Sequence, residues 1–173
     1  VGESRALGTA SEDGDAFAQA REPIAQVFTP VDGGEDFLFA VNHFKSKSSP
    51  ADPDDPADLE ENSNGQGNAN TTRTRQAEAL TEWVDEIQGD TDALILAGDF
   101  NSYTQEDPMR VFYEAGFASA ETHFRLDESS YSYQGLSGSL DHVLLNEAAL
   151  ERATGADIWG INSGEALFLE YSR

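Results

Sequence analysis

The chain of 173 residues has no cysteine, and that excludes disulfides, thiolate metal sites and a cysteine nucleophile. It also lacks any run near the roughly 20 apolar residues needed to cross a bilayer. Its first residues show no basic, apolar and small-residue export pattern, so such a signal would have to lie upstream of Val1. Positive charge is scarce: 10 Lys and Arg stand against 33 Asp and Glu, a net charge of −23. Such a surface repels nucleic acid, whose binding normally rests on Lys and Arg neutralising phosphates. It suits a salty or calcium-containing medium, or divalent cations standing between carboxylate and phosphate.

What is present is enough for one domain with a core, since 38% of residues are hydrophobic and 10% aromatic. Residues 1–20 are small, polar and acidic and read as a flexible leader. Arg21 to Phe28 reads as a strand with Pro23 at an edge, and Asp36 to Phe44 as a buried strand. The turn signal Asp32-Gly33-Gly34 between them makes a hairpin. Residues 45–70 form an acidic loop with three prolines and six carboxylates. It is either a solvated insertion or a calcium-binding loop, although its spacing is not that of an EF-hand.

Thr71 to Gln88 is the clearest helix. Thr71 or Thr72 can cap it, Leu80, Trp83, Val84 and Ile87 share one face, and Gly89 can end it. Ala93 to Phe100 reads as a central strand. Asp107-Pro108 starts a second helix, with a capping carboxylate and proline at the first position, stopping at Gly116. Three strands follow at Ser130 to Gln134, Asp141 to Leu145 and Ala153 to Trp159. The mixed order points to an α/β sandwich, with no repeat and no internal boundary.

Three motifs place polar residues after apolar strands, where sheet proteins build sites. In Asn42-His43-Phe44-Lys45-Ser46-Lys47 the histidine is either a core residue or the start of a phosphate site, with two lysines leaving the strand. In Gly98-Asp99-Phe100-Asn101, strand alternation puts Asp99 and Asn101 on one face, as a hard-metal and phosphate-oxygen pair; the alternative is a turn. In Ser139-Leu140-Asp141-His142 the pair is either a general base with its orienting carboxylate or a structural cap. Adjacent strand residues reach one site only at a strand start or bulge.

The order and spacing of these motifs, with Tyr131-Ser132-Tyr133 before the last one, resemble the endonuclease/exonuclease/phosphatase superfamily, in particular its bacterial extracellular nuclease-like proteins. The resemblance covers about Arg21 to Tyr171. It implies the C-terminal half of a four-layer α/β sandwich, with a mixed, mainly antiparallel sheet and helices on one face. Residues 21–173 would then be the C-terminal part of that domain. Roles implied by the resemblance fall on His43, Asp99, Asn101, Asp141 and His142 as catalytic residues. Asp99 and Asp141 would serve as metal ligands, for Mg²⁺ first and Mn²⁺ or Ca²⁺ otherwise. His142 would be the base or a phosphate ligand. Lys45, Lys47, Arg73 and Arg75 are expected either as a cationic rim for phosphate or as salt bridges to the acidic loop. The implied activity is phosphodiester hydrolysis on a nucleic acid by a secreted or cell-surface protein that is not membrane-bound. The alternatives are a phosphomonoesterase, a sphingomyelinase-like enzyme or a non-catalytic calcium-binding module. The family's strand ending in Asn and its principal metal-ligand Glu have no counterpart before Arg21. The chain is therefore expected to be a fragment whose exposed sheet face binds the missing N-terminal half or a second copy.

Overall fold

The computed structural model describes residues 2–8, 16–18, 20–48, 65–133 and 135–160. Its elements in chain order are β1 (Arg5–Ala6), β2 (Arg21–Phe28), β3 (Phe37–His43), α1 (Asn70–Ile87), β4 (Ala93–Asp99), α2 (Asp107–Glu114), β5 (Ala118–Ser119), α3 (Ala120–Phe124), β6 (Tyr131–Tyr133), β7 (Leu136–Gly138), β8 (Asp141–Leu145) and α4 (Glu147–Arg152). Six strands form one sheet in the order β1-β2-β3-β4-β8-β5. Only β3 and β4 are parallel, because α1 carries the chain back between them. The other neighbours are antiparallel. The α/β class, the mainly antiparallel sheet and the β2–β3 hairpin are therefore as expected.

Alternation along each strand divides the sheet into two faces. One face carries Leu38, Ala40, Leu94, Leu96 and Leu144, all buried. Leu80, Trp83 and Val84 of α1 and Met109 and Phe112 of α2 close over them. A column of rings finishes this core at its upper end. Phe44 lies 5.2 Å from Phe100, and Phe100 5.3 Å from Phe112, each edge to face. The opposite face presents Ile24, Val41 and Val143 at 53%, 47% and 44% exposure. Only its lower end is covered, where Ala120 and Ala149 of α3 and α4 pack on Ala93 and Leu145.

Several expectations are corrected. Residues 1–20 are not all a detached leader: Arg5–Ala6 pairs with β2, and Leu7 and Phe17 are buried, Phe17 edge-on to Phe44 at 5.7 Å. Their few apolar side chains find a core that short-range pattern does not reveal. Pro23 is not on a free edge. It falls in the register shift between Arg21 and Ile24, where its carbonyl accepts from the Leu7 amide. Neither Thr71 nor Thr72 caps α1, which starts after Ala69 in the left-handed conformation. Asp107 does not cap α2, whose N-cap is Glu106; its carboxylate instead accepts from Gln66 and Asn70. Ala153 to Trp159 is unpaired, and β1, β5, β7, α3 and α4 were not foreseen because each is short. Residues 49–64 of the acidic loop, Gln134 and residues 161–173 lie outside the described residues. Among those described, no helix is long and apolar enough to cross a membrane.

Phe17→Ala tests the role of the leader. Loss of a fully buried ring is expected to cost about 3–5 kcal/mol, read as a lower urea midpoint. A loss under about 1 kcal/mol would detach residues 16–18 from the core.

Candidate active site

The register of β3, β4 and β8 builds the site. His43 is the Cα partner of Asp99, and Asp99 of Asp141, so the three stand in one row across three strands. All three point to the open face, at the sheet end where β3 and β4 terminate. His43 Nε2 lies 3.6 Å from Asp99 Oδ2, and their side chains are 39% and 31% exposed. Burial holds the Asp99 carboxyl above its ordinary range. The Asn101 amide, donating to Asp99 Oδ1 at 2.8 Å, opposes the shift, and the charge of Asp141 adds to it.

One residue earlier lies a second row, Asn42, Gly98 and His142, on the core face. Gly98 has φ +146°, and a Cβ there would stand 2.0 Å from the Asn42 carbonyl oxygen. Only glycine lets β3 and β4 approach this closely at the site. Asp141 and His142 are consequently not brought together: His142 is 4% exposed, with its ring 5.7 Å from Phe100. No bulge intervenes, so alternation sends the pair to opposite faces. His142 Nε2 meets the Ser102 carbonyl at 2.8 Å, which fixes the proton on that nitrogen. Burial pushes its pKa down, and Nδ1 has no hydrogen-bond partner among the described residues. The imidazole is buried and turned from the row that carries His43. Asn42 Oδ1 and Ser102 Oγ are likewise buried without partners among the described residues.

Asn101 also departs from strand alternation, because the strand ends at Asp99. Asn101 takes a left-handed φ of 47°, which Asn tolerates, and donates its side-chain amide to the Phe44 carbonyl at 3.1 Å. It clamps the exits of β3 and β4 while its main chain holds Asp99.

Arg73 and Lys47, expected either as a cationic rim for phosphate or as salt bridges to the acidic loop, make contacts within the domain. Arg73 has no exposed surface, and its guanidinium donates to the carbonyls of Lys45, Asn68 and Gln66. Lys47 pairs with Glu106, donates to the Gln66 carbonyl at 3.0 Å, and stands 4.8 Å from the Tyr103 ring centroid. Burial pushes Lys47 down and Glu106 up, and their mutual contact opposes both shifts. These two cations fasten the ends of the 45–70 loop to the domain. Arg75 is exposed on α1, and Lys45 directs Nζ to the Ser46 carbonyl. Sequence reasoning gave no role to Glu106, Gln66, Ser102 or Tyr103. Their one signal was a place in or beside the motifs, because the partners lie far off in the chain.

No cluster of three or more His, Asp or Glu able to hold a metal occurs among the described residues. The row does supply two carboxylates side by side, a donor set suited to a hard cation that takes its other ligands from water and phosphate. A cation there would relieve the repulsion that helps raise Asp99.

The fold and row define a sheet protein with a carboxylate–histidine site at its strand ends. Residues 9–163 match the model of the Endonuclease/Exonuclease/phosphatase family, and the chain belongs to that family. Family members are hydrolytic enzymes, nucleases and phosphatases, that generally use divalent metals. Among solved structures, the chain is similar to D. rerio TDP2 complexed with single strand DNA product, at TM-score 0.54 and 16% identity, covering 83% of this chain and 52% of that one. A mannosyl-6-phosphatase of Bacteroides thetaiotaomicron matches at TM-score 0.51 and 17% identity, over 74% of this chain and 43% of that one. A family protein from the same organism matches at 0.51 and 17%, over 73% and 42%. The chain thus spans about half the length of the structures it matches. No curated protein matches.

Two predictions follow from the electrostatics. Because the Asp99 pKa is raised, its contribution to stability is present below the unfolded value and lost as pH rises through the folded one. Asp99→Asn should therefore raise the urea midpoint at pH 7 without metal, with the gain fading towards pH values below the ordinary carboxylate range; a gain that grows in acid would reverse the assignment. Glu106→Ala strands Lys47 in a mostly buried position and is expected to cost about 3–5 kcal/mol. Lys47→Met with Glu106→Leu should recover most of that loss, as a double-mutant cycle would measure.

Proposed function

We propose that this chain carries the histidine–carboxylate side of a metal-dependent phosphodiester hydrolase acting on nucleic acid. The observation that carries the reading is the row His43, Asp99 and Asp141 in register on one sheet face. Asp99 and Asp141 would hold a divalent cation, Mg²⁺ in the first instance, which supplies charge stabilisation to the phosphoryl oxygens. Asp99, with its raised pKa, orients water or the His43 ring. His43 is exposed enough to meet substrate, and its imidazole takes or returns a proton at the ring nitrogen turned away from Asp99. Asn101 keeps the Asp99 carboxylate aimed through its main-chain amide. Buried His142 acts through position: its bond to the Ser102 carbonyl holds the loop that follows Asp99. This reading gives it no role as base.

The open sheet face is part of the proposal. Ile24, Val41 and Val143 are apolar and exposed beside the row, which supports docking of a second layer, from another part of the protein or a second copy. A cavity of about 550 Å³ opens there next to Asp141, with Phe124, Val143 and Ile158 in its walls. A secreted setting with salt and calcium would screen the charge of −23.

The test compares hydrolysis of DNA and of a small phosphomonoester, with Mg²⁺ and with chelator. DNA cleavage should depend on the metal. His43→Ala should lower kcat about 10²–10⁴-fold with the urea midpoint little changed. Preferential hydrolysis of the monoester would replace the reading with a phosphatase. Unchanged turnover in His43→Ala would remove the row from the chemistry.

A further inference from the structure

Helix α1 is charged against its own dipole. A helix favours anions at its N-terminal end and cations at its C-terminal end. The cations of α1, Arg73 and Arg75, both stand in its first half, and Arg73 is fully buried. Its last turn holds Asp85 and Glu86 and no basic residue. Glu78, Glu82 and Glu86 follow one another at intervals of four, and Asp85 lies three beyond Glu82, so these carboxylates share one exposed flank. Asp90 and Asp92, both exposed, continue the acidic run past Gly89. Like charges at this spacing repel. The ion pairs among the described residues join His43 to Asp99, Lys47 to Glu106, Arg110 to Asp107 and Arg152 to Glu35, and none reaches the flank.

Helix α2 adds to the same field. It ends at Glu114 with no basic residue in its last turn. A cavity of about 380 Å³ joins the two helix ends, with Glu82 and Asp85 of α1 on one side and Ala115, the C-cap of α2, on the other. Two helix C-termini, each carrying partial negative charge, therefore meet among carboxylates. The same α1 closes the core with Leu80, Trp83 and Val84. It also grips the exit of β3: the Gln76 side chain accepts from the Lys45 amide at 2.9 Å, and Arg73 donates to the Lys45 carbonyl at 3.3 Å. Lys45 is two residues past His43, so loosening of α1 is felt at the strand end that carries the row.

We propose that α1 makes the stability of this chain respond to ionic strength, its last turns loosening in dilute salt and tightening as salt screens the acidic flank. The screening length falls from about 30 Å at 0.01 M salt to about 3 Å at 1 M. The upper limit of that range is shorter than the roughly 5–6 Å between neighbours at i and i+4, so the repulsion is removed within it. The net charge of −23 acts in the same direction over the whole surface, and the flank concentrates it where the helix dipole gives no relief. The response belongs to the fold and stands whether or not the proposed reaction does.

The test is urea unfolding at neutral pH in KCl from about 0.01 M to about 1 M. Fluorescence of Trp83, buried on α1, reports the transition, since Trp159 is already exposed. The midpoint should rise by about 0.5 M urea across that range. Glu82→Gln, Asp85→Asn and Glu86→Gln together should raise the midpoint in dilute salt and remove about half of the rise or more. Asp32→Asn, Asp127→Asn and Glu128→Gln, an equal change of charge at exposed positions away from α1, should remove much less. If the unaltered chain is unfolded in dilute salt, far-UV CD regained on adding KCl replaces the midpoint, and the α1 variant should be folded without the salt. A midpoint independent of KCl, or a rise cut equally by the two sets of changes, would overturn the proposal. So would a midpoint raised several-fold further by CaCl₂ than by KCl at equal ionic strength, and only while Glu82, Asp85 and Glu86 are present, because a divalent-cation site would then replace screening.

Discussion

The close approach of β3 and β4 at Gly98 is the constraint on which the site depends. Parallel strands meet there with the Asn42 carbonyl so near that no side chain fits between them. That contact fixes which residue of β4 stands beside which residue of β3. β8 then pairs with β4 in the same place, and the row His43, Asp99 and Asp141 results. A slip of one residue would exchange the two faces. Asp99 would turn into the aromatic core, and Gly98 would leave a gap in the row.

The same constraint explains the division of labour between neighbouring polar residues. Those on the open face remain within reach of solvent. Those on the core face become struts. His142 spends its proton on the Ser102 carbonyl, and Asn101 spends its amide on the Phe44 carbonyl. Both bonds run between strand exits and hold the loop after Asp99. Arg73 does the equivalent for both ends of the 45–70 loop, donating to the carbonyls of Lys45, Gln66 and Asn68. Buried donors of this kind are costly to leave unpaired, so their loss would be felt first as disorder of the loops they hold.

Much of the fold was legible because the signals are local. The apolar runs of β3 and β4, the face made by Leu80, Trp83 and Val84, and the stop at Gly89 depend on residues a few positions apart. Boundaries were less legible. Asp107 looks like a helix cap in sequence, yet Gln66 and Asn70, some forty positions away, capture its carboxylate. Phe17 sits in a polar stretch that resembles a tail, and a core built from distant residues, the ring of Phe44 among them, gives it a place. Ala153 to Trp159 has the alternation of a strand but pairs with no strand among the described residues.

By itself the sequence offered the chemical stock of the site: two histidines, two carboxylates and an asparagine, each at the end of an apolar run, with a glycine where two strands approach closely. It also determined the family, through the order of those motifs. Tertiary structure decided which of them face the same side. Strand pairing joins residues more than forty positions apart, and a period of two reverses a side chain with every step. Asp141 and His142 are adjacent in sequence and stand on opposite faces. His43, Asp99 and Asp141 are distant in sequence and stand in one row. The same long-range pairing decided which groups Lys47 and Arg73 meet within the domain: Glu106 and the carbonyls of Lys45, Gln66 and Asn68.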